Sequence, residues 1–193
     1  MRKIFIQHNN NRVDMSSTPQ KEWANPAVIG LMGFGMTTML TGLNTAGYFP
    51  GGANLALAFI WGGTAQFLAG IIALHKGEIF AGSAFTGYGS FWIALFLINN
   101  IPALSTANLL GFWLMWTLFT LTFTINAPKH GPGITAVFVL LLLAYILLDA
   151  VSAGATSIAK AAGWEIFITG LVAWYVATAI EMNTNYGRKI LPS

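Results

Sequence analysis

The sequence contains no cysteine. Disulfides, thiolate nucleophiles and cysteine-ligated metal centres are therefore excluded, and the redox environment is left open. Charge is almost as scarce, with Asp, Glu, Lys and Arg together making up 8% of 193 residues. A water-soluble domain carries about a quarter of its residues as charges, so a chain this poor in them is an integral membrane protein. Its three histidines, His8, His75 and His130, lie far apart, in a tail or at the ends of apolar runs. Neither a metal centre nor a haem site is expected from such spacing, and no cofactor is implied. An intramembrane enzyme would need a nucleophile with a base, or paired carboxylates. The serines, threonines and few acids here have no His or Asp partner at useful spacing.

Hydrophobic residues are what the sequence has in quantity, at 55%. They fall into six apolar segments, roughly 25–47, 53–75, 78–99, 106–126, 133–151 and 163–182, each of a length to cross a bilayer. The connections are short and rich in turn residues, which predicts antiparallel hairpins. The expected fold is an all-α integral membrane protein of six transmembrane helices, arranged as three hairpins around a central path. Gly/Ala spacing in the second, third and sixth segments permits close helix crossings in lipid. The formal net charge is +3, but the basic residues are scattered at the ends of apolar runs. They read as topology signals rather than a nucleic-acid surface. With the N-terminus inside, Arg2, Lys3, Arg12, Lys21, Lys76, Lys129, Arg188 and Lys189 are cytoplasmic and only Lys160 is not. Both termini are accordingly expected in the cytoplasm. Residues 1–22 are polar and lack the apolar core of a signal peptide, so they read as a solvated cytoplasmic tail.

Within the first segment, Asn25 to Thr38 reads NPAVIGLMGFGMTT. Asn25 can cap a helix and Pro26 suits its first turn. Phe34, Thr37, Thr38 and Thr41 stand at i, i+3, i+4 and i+7, placing one ring and three hydroxyls on a shared face. Such a face suits a narrow path for a small polar solute. Equally, it suits a packed helix whose threonines bond to their own i−4 carbonyls. Under the predicted topology the first, third and fifth spans all start at one face. Phe34, Tyr88 and Leu141 then lie roughly 12–15 Å deep, near the middle of a ~30 Å hydrocarbon core. One bulky residue from each hairpin at a common depth is the geometry of a constriction. Gln66, with Gly62, Gly63, Ala69 and Gly70 on its own face, offers an amide either to a passing solute or to another span. Asp149 and Glu165 lie toward one interface and Glu181 toward the other. An intramembrane ionisable group is a functional candidate, and Asp149 is the candidate for proton coupling.

The stretch NPAVIGLMGFGMTT, together with FTGYGSFW at Phe85 to Trp92, resembles the signature of the acetate uptake transporter family. GYFPGG, GGTAQFLAG, AGWEI and the C-terminal YGRKILP are similar to further stretches of that family. The chain departs from it at Val28, where members usually carry a second proline. The resemblance implies a six-helix transporter in the cell membrane that moves acetate and other small carboxylates, succinate among them, with a proton. An aromatic and aliphatic constriction at Phe34, Tyr88 and Leu141 is implied as well, as is a ring of subunits, six in number, with a path through each. On this reading residues 23–183 form the transport domain and 184–193 a cytoplasmic tail. The partners are then carboxylates, protons and the lipid bilayer, with no nucleic acid. A passive channel for a small neutral or weakly ionised solute is the alternative, since a hydrophobic ring suits that too.

Overall fold

The structure, a computed structural model, describes residues 23–49, 52–105 and 108–192. The expected N-terminal tail, 1–22, lies outside the described residues. Among the described residues, six helices are long and apolar enough to cross a membrane, and this is an all-α, multi-pass membrane protein.

The first span is α1 (Ala27–Thr45). It starts where the motif predicts: Asn25 Oδ1 accepts the Ala27 N–H at 2.9 Å, and the Pro26 carbonyl accepts Gly30 N–H to close the first turn. The second span is composite, with α2 (Ala53–Phe59), a π-helical turn (Ile60–Ala65) and α3 (Gln66–His75). Two adjacent glycines weaken the helix at that turn, and Thr64 Oγ1 donates to the Phe59 carbonyl five residues back at 2.9 Å. The third span is α4 (Ile79–Asn100), followed by a short α5 (Pro102–Ser105). The fourth is α6 (Leu110–Asn126), which tightens into a 3-10 turn over Ala127–His130 where Pro128 enters the chain. Gly131, at φ +101°, reverses direction into the fifth span, α7 (Pro132–Ser152). The sixth, α8 (Ala159–Asn185), begins four residues earlier than its hydropathy suggests. The cause is the helix-favouring Ala159-Lys160-Ala161-Ala162 segment, which extends the helix beyond its apolar stretch. Its far end outlasts the expected boundary too, and the stretch beyond is tied back. Asn183 Oδ1 accepts the N–H groups of Ile190 and Leu191 while its Nδ2 donates to the Leu191 carbonyl.

The closest seam joins the first and last spans, α1 and α8. A Cβ on Gly35 would lie 2.8 Å from the Gly170 carbonyl, and one on Gly163 would lie 2.8 Å from the Gly42 carbonyl. Four glycines thus let two backbones touch without side chains between them. Packing then passes from α8 to α7 and from α7 to α6, while α3 packs on α4 and the π turn on α1. Spans three and four meet through rings instead. Tyr88 stands edge-on to Phe119 at 5.2 Å, and Phe91 stacks on Phe112 at 5.7 Å. Bulky aromatics on both helices hold the axes apart where glycines elsewhere draw them together. The six spans close around an interior lined chiefly by α1, α4 and α7.

Candidate transport path

Two cavities occupy this interior. The N-end cavity, of about 320 Å³, opens among the beginnings of α1, α4 and α7, at Asn25, Glu78 and His130. The C-end cavity, of about 220 Å³, lies toward the finishing ends of the same helices and reaches Thr45, Asn99 and Leu148. Among the described residues, only Phe34 and Leu141 line both. They form the partition, and Tyr88 completes it on the N-end side, its ring centroid 5.6 Å from that of Phe34. All three side chains are buried, with no more than 5% of any exposed.

The local sequence explains why these side chains face inward. On α1, Leu31, Phe34, Thr38 and Thr41 follow the 3–4 spacing of one helix face and all line a cavity. On α7, Val137, Leu141, Ala144 and Leu148 do the same. Tyr88 is fixed from behind: its hydroxyl and that of Thr120 on α6 share a hydrogen bond of 2.8 Å. The phenol is therefore already engaged, and it has capacity for at most one further partner across the path.

The remaining residues singled out in the sequence divide. Thr38 and Thr41 line the C-end cavity, where Thr38 Oγ1 donates to the Phe34 carbonyl at 2.7 Å and Thr41 Oγ1 has no partner among the described residues. Thr37 does not join them. It is fully buried against the π turn, where a Cβ on Gly62 would come within 2.7 Å of its Oγ1. Gln66, the first residue after that turn, lines the N-end cavity with its Oε1 buried and unpartnered among the described residues. Asp149 lines neither cavity. Its Oδ2 accepts from Thr117 Oγ1 on α6 at 2.7 Å, and its Oδ1 is buried without a partner among the described residues. Glu165 likewise lies off the cavity walls, accepting from Thr169 at 2.9 Å.

Some lining residues escape a reading of the sequence. Trp92 presents a buried Nε1–H, unpartnered among the described residues, in the C-end cavity wall. It stands one turn after Tyr88 in the same motif, so helical spacing alone points to it. His130, in contrast, reaches the N-end cavity through a turn, a placement no periodicity reports.

A six-span helix bundle with two cavities meeting end to end at a bulky partition is the architecture of a small-solute transporter or channel. The chain belongs to the GPR1/FUN34/yaaH family, whose model matches residues 7–188. It is 41% identical over 177 residues to the succinate-acetate/proton symporter SatP of Escherichia coli K12, covering 88% of this chain and 94% of that one. It is also 30% identical over 181 residues to ammonia transport outward protein 2 of Saccharomyces cerevisiae, covering 86% of this chain and 64% of that longer protein. Among solved structures, that of the bacterial acetate channel SatP superposes with a TM-score of 0.84 at 38% identity, covering 89% of this chain and 99% of that one.

Proposed function

We propose that this protein carries acetate and other small carboxylates, succinate among them, across the cell membrane through a path within each protomer, coupled to protons. The observation that carries this reading is the partition of Phe34, Tyr88 and Leu141 between two cavities that open toward opposite ends of the bundle. A carboxylate reaching that ring must shed water where few replacement partners exist, so solute size and ionisation are judged there. Gln66 on one side, and Thr38 and Thr41 on the other, supply hydrogen bonds before and after the ring. Thr37 adds to the path only indirectly, by seating α1 against the π turn. Asp149 is the candidate proton carrier, because its second oxygen is buried and unpartnered while its first is held by Thr117. Protomers assemble into a hexamer on this reading, with both termini cytoplasmic.

Uptake of labelled acetate into proteoliposomes tests the proposal. Accumulation above the external concentration when an inward proton gradient is imposed, and its collapse with an uncoupler, are the expected results. A second reading, a passive channel, rests on the absence of any formal charge among the described residues that line the C-end cavity or the ring. Under that reading the acetate anion follows its own gradient and the membrane potential, so at a potential clamped to zero an inward proton gradient drives no faster accumulation than in protein-free liposomes.

A further inference from the structure

Among the described residues lining the N-end cavity, the groups that can carry charge near neutral pH are Glu78 and His130, both at the mouth. Their surroundings differ. Glu78 already has a counter-ion, since its carboxylate lies 3.2 Å from Lys76 Nζ. His130 makes no ion pair among the described residues, and its imidazole lies flat on Phe80, with ring centroids 3.9 Å apart and planes at 22°. The backbone fixes this position. The 3-10 turn Ala127–His130 hangs from the fully buried Ala127, and Gly131 in the left-handed region turns the chain immediately into α7. Phe80 is itself held edge-on by Phe123 and Phe138. The stacked pair forms the wall between the N-end cavity and a lateral groove at Ser83, Asn126 and Lys129.

We infer that His130 is a carboxylate-recruiting residue of the N-end mouth, its imidazolium concentrating anions at the opening of the path. This rests on the carboxylate reading above. An aromatic face beneath an imidazolium stabilises the cation, and the flat stack leaves the ring nitrogens directed along its edge. The charged and titratable groups around it are Glu78, paired with Lys76; Lys129, its neighbour in the turn; and, deeper in the same cavity, Tyr88, whose hydroxyl is engaged by Thr120. The lining contributions of α1, α7 and α8, which include Asn25, Ile134 and Ile180, carry no charge. An imidazolium at His130 therefore adds a further positive charge to a mouth where Glu78 is paired with Lys76 and Lys129 is the neighbouring cation. Imidazole is the side chain that changes charge over the physiological pH range. A unit charge a few ångströms from a water-filled opening enriches a monovalent anion by about threefold.

The test is exchange of radiolabelled acetate in proteoliposomes at equal internal and external pH, from pH 5.5 to 8, for wild type, His130→Gln and His130→Lys. The wild-type to His130→Gln flux ratio is expected to be about three at pH 5.5 and to fall toward about one at pH 8. His130→Lys, which keeps a cation throughout, should match wild type at the acid end and exceed it at the alkaline end. A packing role for the stack predicts a constant ratio at every pH and no rescue by lysine, and that result would overturn the inference. A second measurement separates this failure from failure of the transport reading. Side-chain 15N resonances of the protein's histidines are followed in detergent at pH 5.5 during an acetate titration, against chloride at matched ionic strength. The His130 signal is identified by its loss in His130→Gln. A saturable acetate-specific shift without any wild-type exchange would sustain recruitment and sink acetate transport. Exchange with a pH-independent ratio would do the reverse, and the absence of both shift and exchange would remove both.

Discussion

Phe34 and Leu141 border both cavities, so shortening either side chain joins two spaces that the fold keeps apart. That makes the partition testable residue by residue. Phe34→Ala and Tyr88→Ala should lower the acetate-to-succinate uptake ratio, measured per folded protein, because the wider opening stops penalising the longer acid. Each also removes a buried aromatic ring, at a stability cost of about 3 kcal/mol or more, so normalisation to folded protein decides the outcome. Tyr88→Phe is the control. It loses only the hydrogen bond shared with Thr120, about 1 kcal/mol, and keeps the ring, so its ratio should stay at the wild-type value. Unchanged ratios in both alanine variants would take the ring out of the mechanism. The same scale holds the coupling question. Asp149→Asn keeps shape and hydrogen bonding with Thr117 but cannot change charge. It should abolish accumulation driven by a pH gradient while leaving acetate exchange in part. Undiminished accumulation would leave Asp149 as a bridge between α6 and α7 and nothing more.

At the level of elements, the α1–α8 seam depends on four glycines, and its tolerance is low because the obstructing atoms are backbone. A Cβ on Gly42 would meet the Gly163 carbonyl at 2.6 Å and the Phe167 amide nitrogen closer still. Gly42→Ala should therefore cost about 1–3 kcal/mol through overpacking, seen as a lower thermal midpoint in detergent. Gly111→Ala, at a helical position of α6 with nothing among the described residues within 4 Å, should be neutral or slightly stabilising. Equal behaviour of the two variants would show that the seam can part. The elements also differ in how openly the sequence displays them. Hydropathy locates the six spans, since apolar runs of this length match the thickness of a bilayer and exceed what a soluble core helix needs. Phe34 and Tyr88 are visible because a common depth and two motifs coincide on them. The π turn is not visible, because Gly62-Gly63-Thr64 reads as an ordinary small-residue helix face. The same blindness groups Thr37 with Thr38 and Thr41. Residues about 100° apart share a broad helix face, and only the neighbouring span decides that one packs while the others line a cavity. His130 is hidden for another reason, since a turn brings it onto Phe80, fifty positions away in the chain.

For the whole molecule, the outstanding variable is direction: which cavity faces the cytoplasm. The distribution of Lys and Arg bears on it, because short loops rich in these residues stay on the cytoplasmic side. Lys76 and Lys129 lie in connections at the N-end of the bundle, and Arg188 and Lys189 follow α8 to that same end. Lys160, at the start of α8, lies at the other end, over the ring of Tyr48. The N-end cavity, with Glu78 and His130 at its mouth, is thus expected to open to the cytoplasm, and the C-end cavity, with its unpartnered Trp92 and Thr41 donors, to the outside. On the proposed inward route a carboxylate would meet neutral hydrogen-bond donors first, the bulky ring next, and the Glu78 and His130 mouth last. The cysteine-free sequence makes the test clean, since any introduced thiol is the sole target. Lys129→Cys, in the exposed turn between α6 and α7, should resist a membrane-impermeant maleimide in intact cells and react once the cells are opened. Ala155→Cys, exposed between α7 and α8, should react in intact cells. The opposite pattern would invert the path. Labelling of both positions from outside would contradict a single orientation, and with it the assignment of the His130 mouth to the cytoplasm.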